Sequence, residues 1–146
     1  MATTYLSPHF SLEELTASQV ASRRGLDNTP APEVLEHLKS TALRMEAVRD
    51  LLGHPVLVSS GYRSAAVNAA VGGVANSAHV QGWAVDFICP AFGDPFHICK
   101  AIDASRLEFD QVIEELGRWV HLSFAPSMRR ECLTKVAEGY AKGIAA

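Results

Sequence analysis

What this chain lacks narrows it first. No apolar run approaches the roughly 20 residues a membrane-spanning helix needs, so membrane insertion is not expected. The opening stretch Met1-Ala-Thr-Thr-Tyr-Leu-Ser-Pro-His-Phe10 has neither a basic segment nor an apolar one behind it, which excludes a Sec-type signal peptide. The expectation is therefore a protein made and folded in a cytoplasm, which needs another agent to release it if its work lies outside. Basic residues do not gather: the nearest approach to a cluster is Met128-Arg129-Arg130, and 13 Lys and Arg against 16 Asp and Glu leave a net charge of -3. That distribution offers no footprint for a nucleic acid. The three cysteines, Cys89, Cys99 and Cys132, are odd in number and lack a CxxC spacing, so they read as buried or half-buried thiols rather than a disulfide framework.

What remains is ordinary for a globular protein. Hydrophobic residues make up 48% and charged residues 20% of 146, which predicts one compact domain over residues 1–146 and no wholesale disorder. Ser11 can cap a short helix through Leu15, and Pro32 permits a new helix whose apolar stripe runs Val34, Leu35, Leu38, Ala42, Met45, Val48, Leu51 and Leu52 before Gly53 ends it. His37 falls among charged neighbours and reads as part of the solvated face of that helix. Val56 to Ser60 is β-branched and short and predicts a buried strand, followed by a short helix over Ala65 to Ala70. Trp83 to Ile88 alternates as a strand, with Ala84 and Asp86 on one face and Val85 and Phe87 on the other. Phe96 to Ile102 suggests a helix. Phe109 to Leu116 and Trp119 to Phe124 flank Gly117-Arg118 and predict an antiparallel hairpin, and the residues after Pro126 read as a closing strand or helix plus a tail.

Chemistry concentrates in Ser77-Ala-His79-Val-Gln-Gly-Trp-Ala-Val-Asp86, which sets an imidazole and a carboxylate seven positions apart. A catalytic zinc site commonly takes three ligands from His, Asp, Glu or Cys and leaves a fourth position open. Alone, the pair is a weak signal. On the second hairpin strand His121 would share a face with Trp119 and Ser123, between apolar neighbours, and a polar residue there needs a partner or a metal; it is the best remaining third ligand. Arg63, in the Gly61-Tyr62-Arg63-Ser64 turn at a strand end, is suited by its planar fork to clamp a carboxylate, and the local sequence accommodates a surface ion pair equally well.

These residues together carry a resemblance. Ser77-x-His79-x2-Gly82-x-Ala84-x-Asp86, with Gly61-Tyr62-Arg63-Ser64 upstream and Trp119-Val120-His121 downstream, resembles the zinc D-Ala-D-Ala carboxypeptidase and L-alanyl-D-glutamate endopeptidase family. Phe10-Ser-Leu-Glu-Glu-Leu15, Gly25-Leu-Asp-Asn-Thr-Pro30, Phe109-Asp-Gln-Val-Ile113 and Arg129-Arg-Glu-Cys-Leu-Thr134 are similar to stretches of its compact phage endolysin branch. The resemblance implies an α+β fold with a small antiparallel sheet flanked by helices, and one zinc ion held by His79, Asp86 and His121. It also implies Arg63 stabilising substrate or transition-state charge, Ser77 supporting the substrate, and action by a monomer on the peptidoglycan stem peptide. Residence in an infected host's cytoplasm before holin-type release onto the periplasmic cell wall follows from the same likeness.

One position departs from the family. Many members carry an acidic base three residues before the final histidine, and here that residue is Arg118, which cannot remove a proton at neutral pH. The acid is then expected from Glu114 or Glu115. A two-residue turn would bring Glu114 opposite His121, and an odd-length loop would turn Glu115 to that face. The resembling endolysins keep an acid after one variable residue following Phe-Asp-Gln-x-Ile, which points to Glu115 as the base. Two other readings stand beside this one: a D-Ala-D-Ala carboxypeptidase or dipeptidase, and a metal-free module that binds cell wall or protein.

Overall fold

The computed structural model describes residues 2–144. A short hairpin opens the chain, β1 (Tyr5–Ser7) and β2 (Phe10–Ser11), followed by helices α1 (Leu12–Thr16) and α2 (Gln19–Arg24). Ser11 and Glu14 close a reciprocal capping box on α1, which satisfies two backbone donors at the helix start. The long helix α3 (Pro32–Leu52) begins with proline in its first turn and ends at Gly53, whose φ of 68° supplies the left-handed cap. Its inner face buries Leu38, Ala42, Met45, Val48 and Leu52, as the periodicity predicts. Each such aliphatic side chain withdrawn from water contributes about 1.5–3 kcal/mol.

The remaining elements build one sheet. They are β3 (Leu57–Ser60), α4 (Ala65–Ala70), β4 (Ala84–Ile88), α5 (Pro95–Ala104), β5 (Gln111–Glu115), β6 (Trp119–Ser123), β7 (Glu131–Val136) and β8 (Gly139–Lys142), with strand order β3-β4-β6-β5-β7-β8. Neighbours are antiparallel except β5 and β7, which run parallel. The α+β class with a helix-flanked, largely antiparallel sheet is therefore observed. One face, carrying Val85, Phe87, Val112, Val120 and Leu122, joins Leu38, Met45, Ile98 and Ile102 in the core. The opposite face carries Asp86, paired with His121, which is paired in turn with Ile113.

Three expectations change. The strand at Val56–Ser60 is not buried but lies at the sheet edge: Leu57 is 51% exposed, and the register shifts between Val58 and Ser60 as β3 passes Asp86. Its short β-branched run resembles a core strand because sequence does not show which strand has only one neighbour. His37 does not simply face solvent; its ring stacks on Trp83 at 4.1 Å, and its Nδ1 lies 2.7 Å from the Gln81 carbonyl. The segment after Pro126 forms the β7–β8 hairpin. Cys89 and Cys99 are buried and Cys132 half-buried, all three free. Among the described residues, no helix is long and apolar enough to cross a membrane.

Candidate active site

His79 sits in the turn that carries the chain from α4 into β4, and that turn is held from three sides. Ser77 Oγ accepts from the His79 backbone N–H at 3.2 Å. The buried Thr41 hydroxyl of α3 donates to the Gly82 carbonyl at 2.7 Å, while His37 braces Trp83. Gly82 adopts φ of 78° against Val34, where a side chain would be strained and crowded. Asp86 projects from the middle of β4 and His121 from the middle of β6, opposite each other by register. Two adjacent strands and one pinned turn thus converge on one point.

The donor geometry fits a metal ion. His79 Nδ1 lies 2.6 Å from the Gly61 carbonyl, which can only accept, so that nitrogen carries the proton. His79 Nε2 then faces Asp86 Oδ1, 3.1 Å away. A ring nitrogen and a carboxylate oxygen this close are bridged by a proton or a cation. His121 Nδ1 approaches the same oxygen at 3.0 Å, and one ligand atom from each of the three residues falls within 4.8 Å of the others. Burial would push the Asp86 carboxyl up, but hydrogen bonds from His121 and His79 hold it well below the usual carboxylate range. The carbonyl behind His79 is the outer partner that orients a histidine ligand.

Arg63 and Glu115 complete the surroundings. The Arg63 loop is clamped by Asn28, whose amide donates to the Tyr62 carbonyl at 3.1 Å and accepts from Ser64 N–H at 2.7 Å, and by the Arg63 N–H bond to the His79 carbonyl at 3.2 Å. The guanidinium Nε is buried with no hydrogen-bond partner. Burial pulls its pKa down while the Asp86 and Glu115 carboxylates pull it up, and it stays charged. Leu116, Gly117 and Arg118 form a three-residue loop, with Leu116 and Gly117 at positive φ, so Glu115 pairs with Trp119 and shares the face of His121. Burial raises the Glu115 carboxyl, partly offset by His121. Glu114 points the other way, into the core side, where it is 6% exposed and its Oε2 has no partner.

All five anticipated groups besides the base line one cleft of about 560 Å³ together with Glu115: Arg63, Ser77, His79, Asp86 and His121. Its far wall also takes in Trp119, Arg129 and Tyr140, to which the sequence assigned no role in the site. Trp119, Glu115, Lys135 and Tyr140 form a transverse row across β6, β5, β7 and β8. Arg129 is fixed by a two-pronged bond to buried Asp110, with Nε to Oδ1 and Nη2 to Oδ2 both at 2.9 Å. No local signal marks these, because their place depends on β7 lying parallel to β5.

A three-donor cluster of two imidazoles and a carboxylate, open to a cleft and faced by a free guanidinium and a raised carboxyl, defines a metal-dependent hydrolase of the zinc type. The family model for peptidase M15 matches residues 8–123, and the chain belongs to that family of zinc D-Ala-D-Ala carboxypeptidases. It is thus a zinc-dependent metallopeptidase, which speaks against the metal-free binding module. A search of curated proteins returned no match.

Proposed function

We propose that this protein is a phage endolysin, a monomeric single-domain peptidase that cuts an amide bond inside the stem peptide of bacterial peptidoglycan. The observation that carries the endopeptidase reading is a second groove beside the main cleft. A groove of about 270 Å³ has Arg63 and Asp86 in common with the main cleft. A carboxypeptidase needs a wall against which a chain terminus stops, whereas space on both sides of Arg63 and Asp86 suits a substrate that continues past the cleaved bond. The likeness of Phe10–Leu15 and Arg129–Thr134 to the endolysin branch supports the phage assignment, and host cytoplasm before lysis is the compartment that goes with it.

In this reading His79, Asp86 and His121 hold the zinc, which when bound polarises a carbonyl and makes a water more acidic. Glu115 receives the proton of the attacking water and passes it to the leaving nitrogen, a role suited to a carboxyl whose pKa burial has raised. Arg63 faces the charge that develops on the scissile oxygen, with its buried Nε free of any hydrogen-bond partner. Ser77 keeps the His79 turn in place and lends its cleft edge to the substrate. Metal analysis combined with mass spectrometry of digested peptidoglycan tests the proposal. One zinc per chain and a new internal N-terminus support it; released D-alanine would assign a carboxypeptidase instead.

A further inference from the structure

The groove beyond Arg63 has a chemical character of its own. It runs between α2 and the open edge at β3, and its polar lining comes from Ser18, Gln19, Arg23, Ser59, Ser60 and Arg63. The only acid in that lining is Asp86, already engaged by two histidines. Two guanidinium-bearing residues therefore meet no uncommitted carboxylate there. Arg23 is exposed and has no ion pair among the described residues. The shift in strand pairing at Ser59 turns its hydroxyl onto the Asp86 carbonyl at 3.2 Å and leaves Ser60 opposite Asp86, so the groove is hydroxyl-lined where it reaches Asp86. Irregular pairing of this kind commonly re-aims side chains beside an active site.

We propose that this groove is a subsite for a carboxylate of the substrate, with Arg23 as the residue that sets the preference. The inference rests on the stem-peptide reading. A D-glutamyl residue linked through its side chain keeps a free α-carboxylate, and a fork of N–H donors is the group best matched to it. Arg63 remains at the reacting centre, while Arg23, one helix further out, reads the charge on the neighbouring residue.

The test uses a stem tetrapeptide with the D-glutamyl α-carboxyl free and the same peptide with it amidated. Binding is measured by calorimetry on zinc-loaded Glu115→Gln protein with and without Arg23→Gln or Arg23→Glu, and hydrolysis on the wild-type background. Arg23 is exposed, so its variants fold. The expected result is about a tenfold preference for the free acid, the scale of one charge-assisted bond. Arg23→Gln reduces it severalfold and Arg23→Glu reverses it, with KM moving more than kcat and the amide peptide unaffected. Equal binding of acid and amide, or equal effects of Arg23 substitution on both, overturns the subsite. Discrimination in binding without cleavage of either peptide keeps the subsite and removes the stem-peptide peptidase reading; cleavage indifferent to charge and to Arg23 does the reverse.

Discussion

Replacing Gly61 by alanine should damage both the fold and the metal site, and the structure sets the scale. A Cβ built at Gly61 would overlap the Leu15 carbonyl oxygen and lie 3.0 Å from that residue's carbonyl carbon and Cα. These are backbone atoms of a residue with 0% exposure, at the end of a helix whose start is doubly capped, so they cannot swing aside. Overpacking of this kind costs about 1–3 kcal/mol. The same displacement strains the Tyr62 N–H bond to the Leu15 carbonyl, 2.7 Å long, for about 1 kcal/mol more. It also draws the Gly61 carbonyl away from His79 Nδ1, and loss of such an outer partner typically weakens metal binding about 10–100-fold. Urea unfolding of metal-free protein should therefore show Gly61→Ala destabilised by about 2–4 kcal/mol, and competition with a chelating dye should show weaker zinc binding. A variant within about 0.5 kcal/mol of wild type that binds zinc equally well would refute the reasoning, because neither the close approach nor the carbonyl would then matter.

Glu115→Gln should lower peptidoglycan hydrolysis by about 10²–10⁴-fold with zinc stoichiometry unchanged, read by turbidity loss and metal analysis. Glu114→Gln should retain activity. Burial raises the Glu114 carboxyl above 4.5, so its support for the fold is present below that value and lost as pH climbs through the raised one. Its glutamine variant should accordingly unfold at neutral pH no more easily than wild type. The Arg129 hydrogen bond, working against burial, holds the Asp110 carboxyl at about 2, so the stability it contributes is present above 3.8 and lost as pH falls from there toward 2. Asp110→Asn should lose less stability than wild type between about pH 5 and about pH 2.5 in urea titrations. Thr41→Val leaves the Gly82 carbonyl without its 2.7 Å donor in a fully buried place and should cost about 1–3 kcal/mol in thermal or chemical unfolding.

Local pattern made much of the fold legible. The α3 stripe, its proline start and glycine end, the Ser11 cap and the alternation from Ala84 to Ile88 are all settled by near neighbours in sequence. The donor cluster was legible too, because His79 and Asp86 share a short motif and His121 is the polar exception in an apolar strand. What escaped depends on distant pairing. Choosing between Glu114 and Glu115 requires the loop length at Leu116-Gly117-Arg118, and two glycine-flanked turns with different counts look alike in sequence. The edge position of β3, the stack of His37 on Trp83, and the arrival of Arg129 and Tyr140 at the cleft wall are properties of the assembled sheet. None has a local signature.

The family match ends at Ser123, yet the sheet goes on for two strands. β7 occupies the side of β5 that would otherwise present the backbone donors and acceptors of Gln111–Glu115 to solvent, and β8 then shields β7. A chain cut after β6 would expose as an open template for intermolecular pairing the strand that bears Glu115. The terminal hairpin is thus a guard against aggregation as much as a wall of the cleft. Its outward residues can change while the ladder that protects the chemistry is kept.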